Sequence, residues 1–249
     1  MKILGIIPAR FASSRFPAKL IQEVNGKSIL QFVYEQCLKS RYLSKVIIAT
    51  DHELIFEKVK EFGAEVVMTS SKHLSGTDRC AEALILYGGA KEFDYAINIQ
   101  GDEPLISPNT IDDLCGIFNS RTEIASVYKR ISLIEEVMNP NIVKVVIGVN
   151  SQALYFSRSP IPFVRGEEID NWVVKHSFFK HLGLYGFRAD ILEKIVKIPI
   201  NNLEDIEKLE QLRWLANGYK ISMQETSNES MGIDTQEDFD RFKQFLGKK

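Results

Sequence analysis

Three cations, Arg10, Arg15 and Lys19, stand five and four residues apart in the segment Pro8-Ala9-Arg10-Phe11-Ala12-Ser13-Ser14-Arg15-Phe16-Pro17-Ala18-Lys19. Small residues separate them, so backbone N–H groups can approach a ligand closely. A triphosphate carries about four negative charges and needs several cations plus such N–H donors. The segment holds no glycine and is therefore not a P-loop. A second segment, Gln100-Gly101-Asp102-Glu103-Pro104, places carboxylates after an apolar run. Hard oxygen donors at a strand end suit a divalent cation that keeps its waters and bridges phosphates. The same residues also make an ordinary Gly-Asp turn stiffened by Pro104. Read together, the two segments point to a nucleotide and a metal.

Other residues carry two readings each. Ser75-Gly76-Thr77-Asp78-Arg79 starts a helix, with Ser75 or Thr77 as its cap, or else forms an edge where Gly76 lets backbone approach a nucleobase. Asp234-Thr235-Gln236-Glu237 reads as a cap with Glu at the third helical position, and a capping aspartate can still spare an oxygen for a metal. The pattern predicts a helix capped at Asn202, running to Asn217 and stopped by Gly218. At 100° per residue, Arg213 falls inside its apolar side and Glu210 at the edge. Buried charges need partners, so Glu210 either pairs with Arg213 or, with Gln211, reaches hydroxyls of a substrate. His181 lies in a strand-like run as a core or edge residue, and Arg158 reads as a surface charge.

The elements that must position these residues alternate through the first half. Strands are predicted at Lys45 to Thr50, Glu65 to Met68 and Asp94 to Ile99, in addition to the run Ile3 to Ile7. Helices are predicted at Ser28 to Lys39, His52 to Phe62, Gly76 to Tyr87 and Pro108 to Asn119. This alternation implies an α/β fold of three layers with a mainly parallel sheet, on which ligands bind beyond the carboxyl ends of strands. The second half has strand patterns at Ile124 to Arg130, Val143 to Val149, Ala153 to Phe156 and Phe178 to Phe187 without long helices between them. Ile221 to Gln224 and a helix from about Asp234 to Leu246 close the chain. With no Gly/Ser/Pro-rich linker, one domain over 1–249 is expected, with a mixed-sheet region at about 125–187 placed to carry a dimer contact.

Composition sets outer bounds. The 31 Lys+Arg and 33 Asp+Glu leave a formal charge of −2 over 249 residues, which gives no support for a nucleic-acid partner. The three cysteines, Cys37, Cys80 and Cys115, lie in helical patterns without metal-ligand spacing, as buried free thiols in a reducing compartment would. No run approaches the roughly 18 apolar residues of a membrane span, and Arg10 interrupts any signal-peptide reading. A cytoplasmic protein is expected.

Taken in order, these fragments resemble one family. Ile6-Ile7-Pro8-Ala9-Arg10 with Ser14-Arg15 and Lys19, Ala49-Thr50-Asp51, Ser75-Gly76-Thr77-Asp78-Arg79 and Gln100-Gly101-Asp102-Glu103-Pro104 are similar to the 3-deoxy-manno-octulosonate (Kdo) cytidylyltransferases. So are Ala153-Leu154-Tyr155-Phe156-Ser157-Arg158, His181-Leu182-Gly183-Leu184-Tyr185-Gly186, Leu209-Glu210-Gln211-Leu212-Arg213 and Gly232-Ile233-Asp234-Thr235. The resemblance runs from about Ile6 to Phe242. It implies a glycosyltransferase-A-like nucleotidyltransferase fold and a homodimer that makes CMP-Kdo from CTP and Kdo for lipopolysaccharide assembly. By position it assigns Arg10, Ser14, Arg15 and Lys19 to the triphosphate, beside Pro8 and Ala9, and Ser75, Gly76 and Thr77 to the cytosine. Asp102 and Asp234 would bind Mg²⁺. Gln100, Arg158, His181, Tyr185, Glu210 and Gln211 would hold the sugar acid. Ala18 stands where the family usually has glycine, and Phe163 to Lys175 resembles nothing in it. Transfer to 8-amino-Kdo, to sialic acid or another sugar acid, and a non-catalytic sugar-nucleotide binding module, are the alternatives.

Overall fold

The computed structural model describes residues 1–11, 16–229 and 231–247, so Ser14 and Arg15 lie outside the described residues. Two compact units form, Met1–Asp112 with Glu229–Lys249, and Asp113–Asn228.

The first unit begins with β1 (Ile3–Ala9), whose near-continuous apolar run is buried along its length. Burial on both faces is what a central parallel strand requires. A two-residue turn at Asn25-Gly26, with φ of 53° and 76°, joins β2 (Glu23–Val24) to β3 (Lys27–Ser28). Those positive angles match the right-handed twist of a hairpin, which explains the Asn-Gly pair. Ser28 then caps α1 (Ile29–Cys37) by accepting from Gln31 N. β4 (Lys45–Thr50), α2 (Glu53–Glu61), β5 (Val66–Met68), α3 (Gly76–Leu86) and β6 (Tyr95–Asn98) follow in strict alternation, and α4 (Pro108–Cys115) carries the chain on. The strands lie in the order β6-β1-β4-β5, all parallel. From β1 the chain winds outward to β4 and β5, then returns to the opposite side of β1 as β6. The crevice past the carboxyl ends of β1 and β6 is therefore a topological switch point, where such sheets bind ligands. Arg10 follows β1 there, and Gln100 to Asp102 follow β6.

The second unit is a mixed sheet. Its elements are β7 (Ile124–Ile131), α5 (Ile134–Met138), β8 (Lys144–Ile147), β9 (Ala153–Ser157), α6 (Trp172–Lys175), β10 (Phe178–Arg188), α7 (Ala189–Ile195), α8 (Asn202–Glu207), α9 (Gln211–Ala216) and β11 (Ile221–Glu225). β7 runs parallel to β11 and antiparallel to β10, with a register shift between Leu182 and Tyr185. β8 pairs antiparallel with both β10 and β9. The stretch from Phe163 to Lys175 folds back through Trp172, which stacks on Phe178 at 5.8 Å between centroids in a core with Ile131, Val137 and Val164. The chain then re-enters the first unit and ends in α10 (Gln236–Gly247).

Two local expectations need correction. The helix predicted from Asn202 to Asn217 is two helices, broken at Lys208 with φ of 52° and capped by Asn201, whose side chain accepts from Glu204 N. The break changes the helical phase, so Leu203 and Ile206 are exposed while Leu209 and Leu212 are buried. The cap of α10 is Thr235 rather than Asp234. Thr235 Oγ1 accepts from Asp238 N, and Asp238 Oδ2 accepts from the backbone of Asp234 and Thr235. Cys37, Cys80 and Cys115 are buried free thiols, as expected.

Candidate functional site

A cavity of about 360 Å³ opens in the first unit, with Pro8, Arg10, Lys19, Ser75, Gln100, Asp102 and Asp234 among its lining residues. Its volume falls in the range of small-molecule sites. Two glycines let its walls close up. A Cβ on Gly101 would stand 3.1 Å from Pro8 O, and one on Gly76 would stand 3.3 Å from Pro8 Cγ. The loops after β1 and β6 and the first turn of α3 therefore share one surface. Of the other nucleotide candidates, Ala9 and Thr77 are buried, so Ala9 can offer only backbone.

Asp102 and Asp234 are 132 positions apart in sequence yet meet on one nitrogen. Lys19 Nζ donates to Asp102 Oδ2 at 2.6 Å, Asp234 Oδ1 at 2.9 Å and Ile233 O at 2.9 Å. A backbone bond from Ile233 N to Asp102 O, 2.9 Å, joins the two loops. Burial pulls the Lys19 ammonium down, but Asp102 and then Asp234 outweigh it and hold it above its ordinary value. Two carboxylates and a carbonyl oxygen converging on one cation form a hard-oxygen set suited to Mg²⁺, which takes one or two protein carboxylates and completes its shell with phosphate and water. Among the described residues no third His, Cys, Asp or Glu joins them. Just before Lys19, Ala18 sits at φ 54°, a left-handed conformation, which is why glycine suits that position.

Ser75 caps α3 in a reciprocal capping box with Asp78. Arg79, 4% exposed, spans from Asp51 Oδ2 at 2.7 Å to Thr69 Oγ1 at 2.6 Å and forms part of the cavity wall. This is the structural meaning of the separated Ala-Thr-Asp and Ser-Gly-Thr-Asp-Arg motifs. His73 also lines the cavity, a role the sequence reading missed. Its Nε2 lies 2.5 Å from Glu82 Oε2, which accepts from Ser70 N at 2.8 Å. Burial opposes the Glu82 charge, but the bonds from Ser70 and His73 outweigh it and hold the carboxyl low. A histidine two residues before a helix cap, with a glutamate two turns into that helix, was the available signal.

Arg158, His181, Tyr185, Glu210 and Gln211 lie in the second unit. His181 and Tyr185 have ring centroids 5.1 Å apart, and Phe156 packs edge-on against His181 at 5.0 Å. Ser126 Oγ directs its proton to Leu184 O at 2.8 Å, so His181 Nε2–H donates to Ser126 Oγ at 2.8 Å. That assignment leaves His181 Nδ1 as an acceptor. Tyr185 Oη is buried with no hydrogen-bond partner among the described residues, and burial and then Glu210 push its pKa well up. Glu210 does pair with Arg213, at 2.8 Å, while Arg213 Nη1 donates to Ile198 O.

Burial lowers the His181 pKa from 6.5 to about 3. Above pH 6.5 both folded and unfolded states are neutral there. Below it the unfolded chain takes up a proton that the folded chain refuses, so stability falls between pH 6.5 and about 3. One proton changes stability by at most about 1.4 kcal/mol per pH unit. His181 keeps some surface exposure, so we expect wild type to lose about 1–2 kcal/mol more than His181→Phe between pH 6.5 and 4.5. Urea unfolding at the two pH values checks this, and equal losses would contradict a neutral buried imidazole.

A cytidylyltransferase family model matches residues 4–221. The chain is 46% identical to the 3-deoxy-manno-octulosonate cytidylyltransferase of Parabacteroides distasonis, over 100% of both chains. It is 47% identical to that of Bacteroides thetaiotaomicron, over 99% of this chain and 98% of the relative. A solved structure of CMP:2-keto-3-deoxy-manno-octonic acid synthetase complexed with CTP superposes with a TM-score of 0.91 at 34% identity, covering 100% of this chain and 99% of the other.

Proposed function

The chain belongs to the cytidylyltransferase family, and from that premise we propose that it transfers CMP from CTP to the anomeric hydroxyl of Kdo, giving CMP-Kdo and pyrophosphate. The observation that carries this reading is the meeting of Asp102, Asp234 and Lys19 at the switch point between β1 and β6. The hydroxyl oxygen attacks the α-phosphorus as the bond to the β-phosphate oxygen breaks, so the electrons leave with pyrophosphate and the hydroxyl proton passes to water. Such chemistry rests on positioning and charge neutralisation rather than covalent help from the protein.

Arg10, Arg15 and Lys19 bind the triphosphate, with Ser14 and the backbone at Pro8 and Ala9. Ser75, Gly76 and Thr77 read the cytosine, with Gln100 at the cavity wall. Asp102 and Asp234 hold Mg²⁺. When bound, Mg²⁺ supplies charge neutralisation to the phosphates and acidity to the attacking hydroxyl. Arg158 pairs with the sugar carboxylate. His181 Nδ1, Tyr185 Oη, Glu210 and Gln211 meet its hydroxyls, and the partnerless Tyr185 phenol supports a polar ligand there. Gln100 would contact the sugar acid as well.

The protein acts as a cytoplasmic homodimer with a contact drawn from about 125–187, in a single catalytic domain. Exposed Phe163, Val174 and Val149 support that contact. Among the described residues no helix is long and apolar enough to cross a membrane.

Pyrophosphate release tests the assignment, with CTP, ATP, GTP and UTP each offered with Kdo, 8-amino-Kdo or sialate in the presence of Mg²⁺. The highest kcat/KM is expected for CTP with Kdo. A higher value with 8-amino-Kdo would reassign the sugar, and no release with any pair would remove catalysis.

A further inference from the structure

Lys144, on β8, is 0% exposed. Its three N–H donors all end on carbonyl oxygens, Asn139 O at 2.8 Å, Ile142 O at 2.8 Å and Arg158 O at 2.5 Å. Burying an ammonium against carbonyls rather than a carboxylate costs more desolvation than an apolar side chain of that size. What the arrangement does accomplish is geometric. It ties the turn at 139–142 to the backbone just past β9.

That tie bears on Arg158. The Arg158 amide donates to Glu207 Oε2 at 2.9 Å, its Nε to Glu207 O at 2.8 Å and its Nη1 to Pro140 O at 3.0 Å. Ser157 Oγ donates to the other Glu207 oxygen at 2.6 Å. Pro140 O, which orients the guanidinium, lies between the two turn carbonyls that Lys144 grips. Lys144 therefore holds Arg158 at both ends, through its own carbonyl and through the turn that aims its side chain. A planar guanidinium set this way presents its remaining N–H fork in one direction, as bidentate carboxylate recognition needs.

We propose that Lys144 is a positioning residue that aims Arg158 at the carboxylate of the sugar acid. The proposal rests on the reading of Arg158 as the carboxylate partner. Burial lowers the Lys144 pKa, Glu207 opposes the fall and Arg158 adds to it.

The test is steady-state pyrophosphate release with Lys144→Met, Lys144→Gln, Arg158→Ala and the double variant Lys144→Met/Arg158→Ala, varying Kdo at saturating CTP and the reverse. A small misplacement of a binding group costs up to about 10²-fold, so Lys144→Met should raise KM for Kdo at least about tenfold. KM for CTP should stay within about twofold, and Lys144→Gln, which keeps two donors, should fall between. In the Arg158→Ala background the Lys144 change should add less than about twofold, because its route is already cut. If Lys144→Met does not fold, Lys144→Gln and its double variant carry the same comparison. Equal rises in both KM values, or additive effects in the double variant, would overturn the proposal. An unchanged Kdo KM in Arg158→Ala would overturn the reading of Arg158, and the proposal with it. A raised KM there with normal Lys144 variants would overturn the proposal alone.

Discussion

Asp102→Asn should lower kcat about 10³-fold while CTP binding stays measurable by calorimetry. The substitution keeps the side chain's size but replaces a charged oxygen with an amide. Asp102 Oδ2 is the shorter of the two carboxylate partners of Lys19, at 2.6 Å. It also sits on the loop that Ile233 N joins to the Asp234 segment. Losing its charge weakens an oxygen donor of the proposed Mg²⁺ set and removes a charged partner from Lys19. Both effects act where charge develops in the transition state, where a single electrostatic group is worth about 10²–10³ in rate, and loss of metal adds to it. CTP should keep much of its affinity, because Arg10 and the turn at Ser75 and Gly76, proposed above to read the base, are untouched. Asp234→Asn should cost a similar factor, and the double variant far less than the product, since the two residues act as one unit. Turnover within tenfold of wild type in Asp102→Asn would defeat the metal assignment.

Arg79→Met should destabilise the protein by about 3 kcal/mol, because removing one member of a buried pair leaves the other charge unsatisfied. Asp51 would keep a carboxylate facing an apolar chain, and Thr69 Oγ1 would lose its donor. For a chain of this length the loss corresponds to a melting midpoint lower by about 6–12 °C. Adding Asp51→Leu should recover at least half of it, since replacing both partners with apolar groups is far less costly than removing one. No recovery in the double variant would mean that Arg79 acts chiefly through Thr69 or through packing. Because α3 starts three residues earlier at Gly76, the single variant should also weaken CTP binding, which calorimetry can follow.

Much of this protein was legible in the chain alone. The alternation of β1, α1, β4, α2, β5, α3 and β6 follows from apolar periodicity, and the cap at Ser75 follows from residue type at a helix start. These are local properties, settled by interactions within about one helical turn or along one strand. The placement of the candidate residues of the first unit was also legible, because a parallel sheet puts its binding loops past its strand ends and the cationic and acidic segments both follow apolar runs. Tertiary structure decided the rest. That Lys19 meets both Asp102 and Asp234 depends on β6 returning beside β1 and on the chain re-entering the first unit after residue 228. The cap at Thr235 in place of Asp234, and the break at Lys208, turn on one residue of phase that several sequences of polar residues would permit equally. Lys144 reads as one more strand lysine until two carbonyls of the 139–142 turn and one just past β9 close around it. Residue types and their period along the chain specify which groups exist and which element carries them. Which groups touch is a matter of long-range packing, where partners tens to hundreds of positions apart are selected by the fold as a whole.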